Sequence, residues 1–100
     1  MPGFDVTVPN PMGQEKAIER LHSLSDGMKK RFEGQIKDWT ETWSGNAMDF
    51  SFKTLGSTIK GKLTVDESSA RINGDLPFMA MAFKGQIEKS IKEEMSKALA

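Results

Sequence analysis

Cysteine is absent from this chain, so no disulfide and no thiolate metal site can form. Histidine occurs once, at His22, which leaves no second imidazole to complete a metal site. Net charge is also missing: 14 Lys and Arg balance 14 Asp and Glu. A dedicated nucleic-acid binder needs a basic excess to neutralise phosphates, so no nucleic-acid partner is expected. No apolar run approaches the roughly 18 residues of a membrane span. Met1 to Asn10 has no long apolar core, which speaks against a signal peptide. Neither GxGxxG, nor a phosphate-binding P-loop, nor a G-x-S-x-G elbow occurs. What remains is 100 residues with 37% hydrophobic and 28% charged side chains, enough for one domain with a modest core. The expectation is a single cytoplasmic domain over residues 1–100, without catalytic residues, cofactor or metal.

The hydrophobic pattern orders the elements. Phe4, Val6 and Val8 alternate with polar residues as in a half-buried strand, which Pro9-Asn10-Pro11 ends. From about Met12 to Phe32, Ala17, Ile18, Leu21, Leu24 and Met28 share one face of a helix. Gly27 falls inside it at a cost of about 1 kcal/mol, yet one continuous helix is expected. Trp39, Glu41 and Trp43 then share a strand face. A two-residue turn at Gly45-Asn46, type II′, sets Trp43 opposite Met48 and Trp39 opposite Phe52. That register leaves Glu41 among apolar neighbours, where its carboxylate must reach water. Leu55-Gly56 makes the next turn, and strands over Ile59 to Val65 and Ala70 to Leu76 follow. After Pro77 the helical period returns with Ala80, Phe83, Ile87, Ile91, Met95 and Leu99 on one stripe. The order β-α-β-β-β-β-α predicts an α+β two-layer sandwich, an antiparallel sheet with both helices on one face. Gly61 and Gly74 fall on the inner face, marking either close packing or a small cavity.

The remaining polar residues form no reactive arrangement. His22 reads as a helix-flank or surface residue, and Asp66-Glu67 and Glu93-Glu94 read as solvated pairs. Lys53, Lys60, Lys62 and Arg71 would stripe the open sheet face. That face lacks the exposed aromatics on which single-strand RNA binders stack bases. The segment from Leu76 to Phe83 has two readings. In one, Phe83 enters the core and Met79 and Met81 fill gaps in it. In the other, Phe78, Met79, Met81 and Phe83 form an apolar interaction site with Lys84 at its rim.

Three stretches carry a family resemblance: Asn10-Pro11-Met12-Gly13-Gln14-Glu15-Lys16-Ala17, Trp43-Ser44-Gly45-Asn46-Ala47-Met48-Asp49-Phe50-Ser51-Phe52, and Leu76-Pro77-Phe78 through Phe83-Lys84-Gly85-Gln86-Ile87-Glu88. In these the chain resembles the small polyhydroxyalkanoic acid system proteins of bacteria, along nearly its whole length. The resemblance implies an association with storage polyester at the granule surface, brings no enzymatic activity and transfers no functional residues. The expected function is a non-catalytic protein binding a polyester granule surface or an apolar protein partner. The alternatives are a small apolar ligand carrier of shortened helix-grip type and a structural module that dimerises.

Overall fold

The computed structural model describes residues 3–54 and 56–100. Its elements are β1 (Gly3–Pro9), α1 (Gln14–Arg31), β2 (Lys37–Ser44), β3 (Ala47–Thr54), β4 (Ser57–Val65), β5 (Ser69–Asp75), a 3₁₀ segment (Phe78–Phe83) and α2 (Lys84–Leu99). The five strands form one sheet in the order β1-β5-β4-β3-β2, antiparallel throughout. β2 to β5 are a meander, and β1 joins its far edge through β5. α1 therefore carries the chain across the sheet from one edge to the other. The sheet's apolar residues and both helical stripes meet in one layer, giving the expected α+β sandwich.

Local chemistry accounts for the boundaries. Asn10 is 4% exposed and joins three segments. Its Nδ2 donates to the carbonyls of Gly13 and Asp66 at 3.0 Å, and its Oδ1 accepts from Met12 N–H at 3.2 Å. This Asx turn holds the start of α1 against the β4–β5 turn. Glu67 is not the idle solvated charge expected of it: its carboxylate accepts from Gln14 N–H at 3.1 Å, at the positive end of α1. Gly27 sits within an unbroken α1, with nothing near the place a Cβ would occupy.

The β2–β3 hairpin has the expected register from Thr40 to Ser44, with Trp43 opposite Met48, but Trp39 falls in a register shift and the expected Trp39–Phe52 pair is not part of the ladder. Gly45 has φ +61°, and Asn46 is not among the positive-φ residues, as a type II′ turn requires. Towards the start of β2 the register shifts by one residue between Lys37 and Thr40. This bulge contains Asp38 at φ +53°, a conformation that aspartate tolerates better than most residues. Gly56 has φ +76° in the next turn; Leu55 lies outside the described residues.

Gly61 and Gly74 mark close packing, with aromatic rings rather than a helix as the neighbours. A Cβ on Gly61 would overlap the Phe50 ring, and one on Gly74 would lie 2.8 Å from the Phe4 ring. The two glycines face each other across β4 and β5, so the outer atoms of two phenyl rings rest against bare backbone.

Candidate functional site

Two apolar features stand out, one convex and one concave. The convex one is the turn after Pro77. Phe78 is 91% exposed, Met79 87% and Phe83 59%, while no residue of the 3₁₀ segment is fully buried. Ala80 and Met81 instead lie half-buried against the core. Met81 is thus less available than expected, and Phe83 does not enter the core as its place on the stripe suggested. The cause is a change of helical period. A 3₁₀ segment turns every three residues, so Phe83 rotates out of phase with Ile87 and the α-helical stripe beyond it. Lys84, the first residue of α2, is exposed beside this turn.

The concave feature lies between the sheet and the helices, the layer in which the ligand-carrier alternative places its cavity. Between α1, α2 and the inner sheet face lies a cleft of about 260 Å³. Its walls include Leu24 and Met28 of α1, Ile91 of α2, Ile36, and Trp39 and Phe52 of the hairpin. Trp39 lies 5.3 Å from Phe52 and 5.9 Å from Phe50, ring centroid to ring centroid, at angles of 15° and 10°. The three rings form a continuous aromatic wall. Among the described residues, the hydroxyl and carboxylate groups at the cleft are those of Ser25, Ser90 and Glu94.

Beside this wall Glu41 is held at 13% side-chain exposure. Instead of reaching water it accepts four hydrogen bonds. Trp39 Nε1 donates at 2.8 Å, Trp43 Nε1 at 3.0 Å, Lys29 Nζ at 2.9 Å and Ser25 Oγ at 3.2 Å. Burial pushes this carboxyl upward, but hydrogen bonds from Lys29, Trp39 and Trp43 outweigh it and bring the pKa down to about 2. The same bond to Glu41 raises Lys29, whose ammonium also bridges Asp26 at 3.2 Å. Glu41 therefore ties α1 to β2 and fixes both indoles. Sequence contained the signal: indole donors two residues to either side of an acid on one strand face, and Ser25 and Lys29 spaced one helical turn apart.

The other polar residues stay on the surface. His22, 53% exposed at its side chain, stacks on Trp43 at 5.6 Å and lies 3.8 Å from Asp26. On the open sheet face Arg71 donates to both oxygens of Asp5 at 2.9 and 2.7 Å, which holds the Asp5 carboxyl below its ordinary value. Lys53 lies 3.6 Å from Asp38. The expected basic stripe is in part neutralised by carboxylates. Among the described residues no group of three or more His, Cys, Asp and Glu is placed to hold a metal ion, and no helix is long and apolar enough to cross a membrane.

Residues 4–99 match the model of the family described as "Putative polyhydroxyalkanoic acid system protein". Comparison with curated proteins and with solved structures gives no match.

Proposed function

Because this chain belongs to the polyhydroxyalkanoic acid system family, we propose that it is a non-catalytic cytoplasmic protein that sits on a storage-polyester granule through the turn at Phe78, Met79 and Phe83. The observation that carries this reading is the exposure of three large apolar side chains in one six-residue segment. Large apolar side chains exposed together in one short segment mark a candidate contact site. Each such side chain contributes about 1.5–3 kcal/mol when fully removed from water, so three together suffice for reversible attachment to an apolar surface. Met81 supports the turn from beneath, and Lys84 keeps its ammonium in water at the rim.

Two features support a non-catalytic reading. Glu41, the most enclosed carboxylate beside the cleft, is ionised and saturated with donors, which makes it a poor proton acceptor near neutral pH. His22 is committed to a stacking contact on an exposed helix flank.

The test is partitioning onto polyhydroxyalkanoate beads. The double variant Phe78→Ser, Met79→Ser should bind at least about tenfold more weakly than the parent with an unchanged melting temperature. Equal binding by the two proteins would refute the proposal. A second copy of the chain is the competing occupant of this turn. Sedimentation equilibrium showing a dimer that the double variant abolishes, with no bead binding by the parent, would favour the dimerising module instead.

A further inference from the structure

We infer that the cleft between the helices and the sheet is a binding site for a neutral aliphatic chain, distinct from the surface turn. None of residues 78–83 lines it. Its walls are hydrocarbon apart from Ser25, Ser90 and Glu94; Ser25 Oγ is already bonded to Glu41, and among the described residues no buried side-chain polar atom lacks a hydrogen-bond partner. The enclosed part of a ligand therefore finds no partner for a hydrogen-bonding group, and burying such a group there would be costly. A dry apolar cavity of about 150 Å³ accommodates benzene, so 260 Å³ accommodates a hydrocarbon chain of roughly eight to ten carbons.

Charge around the cleft selects the head group. Glu94 stands at its edge, and Arg31 approaches it only to 4.0 Å. Glu41 and Asp26 lie on the α1–β2 side, and Lys29 is bonded to both. Lys29, whose ammonium lies 5.8 Å from the Trp39 ring, is thus already matched by two carboxylates, and among the described residues lining the cleft the charged one is Glu94. A fatty-acid anion would bring a second carboxylate beside Glu94. An alcohol or an ester of the same chain length brings none.

The hairpin is built to keep the space open. The Glu41 hydrogen bonds fix Trp39 upright and hold β2 at a set distance from Ser25 and Lys29 of α1. The wall can therefore receive a chain without first being ordered, which lowers the entropic cost of binding.

The experiment is a titration of the intact protein with 1-octanol and, separately, with octanoate below its micellar concentration, followed by methyl NMR. Saturable shifts at Met28, Ile36 and Ile91 with 1-octanol, and binding of octanoate weaker by about tenfold or more, are expected. The cleft-filling double variant Leu24→Phe, Ile91→Phe should lose the shifts. The surface variant Phe78→Ser, Met79→Ser should retain them, so this inference and the granule proposal can fail separately. Absence of saturable shifts in the parent would overturn the inference, whether or not the filled variant folds. Octanoate binding as tightly as 1-octanol, or shifts confined to Met79, would overturn it equally.

Discussion

Glu41 lies between two tryptophans on a strand face, a position where an unpaired carboxylate would be expelled to water or protonated. Its four donors keep it ionised. With a folded pKa of about 2 against an ordinary 4.5, it stabilises the fold fully above pH 4.5. That contribution is lost as pH falls from about 4.5 towards 2, because the unfolded chain then binds the proton first. Acid unfolding followed by tryptophan fluorescence should show this loss, on the order of 2 kcal/mol. Glu41→Gln should remove the share of Glu41 from the pH dependence in this window and lower stability at pH 7 by about 2 kcal/mol, since it leaves Lys29 with Asp26 alone and the indole donors facing an amide. Asn10 is the comparable neutral case. Asn10→Ala strips the partner from Met12 N–H and unties the β4–β5 turn, and should cost about 1–3 kcal/mol in denaturant titration. Asn10 makes the turn, and Gly13 supplies φ +85° at the entrance to α1.

Among the elements, glycines separate packing from propensity. Gly27→Ala lies on an exposed face of α1 with free space around it, and should raise stability by up to about 1 kcal/mol. Gly61→Ala should lower it by about 1–3 kcal/mol, because its Cβ would meet the Phe50 ring and come within 2.6 Å of the Asn73 carbonyl. Thermal melts of the two variants should move in opposite directions. The hairpin was readable as an element because both its strands keep a period of two and Gly45 meets the demand of the turn. The bulge at Asp38 was not readable, since an extra residue in one strand leaves no mark on local composition. The last helix shows the converse failure. Its stripe from Ile87 to Leu99 is real, but extending it back to Phe83 assumed an α-helical period where the chain is 3₁₀.

At the scale of the whole molecule, an apolar cleft left open is a stability reserve. Ligand binding to the folded state alone stabilises it by mass action. 1-Octanol at about ten times its dissociation constant should therefore stabilise the parent by roughly 1.4 kcal/mol in a thermal-shift measurement. The filled variant Leu24→Phe, Ile91→Phe should show no such gain. If both proteins respond alike, the alcohol acts on the solvent or the surface and not in the cleft. The two apolar features share no residue, so the two proposed contacts, one with a surface and one with a chain, are separable.

Local sequence determined the β-α-β-β-β-β-α order, the antiparallel sheet with one apolar face, the hairpin register from Thr40 to Ser44 and the apolar character of Phe78, Met79, Met81 and Phe83. Each of these follows from periods and turn demands spanning only a few residues. Tertiary structure decided which of those four side chains meet water, because that depends on the phase between a 3₁₀ turn and the helix it joins. It also decided that Glu41 has four partners and that a cleft of about 260 Å³ lies between α1, α2 and the inner sheet face. Those outcomes rest on distances between segments far apart in sequence, which no period within either segment encodes.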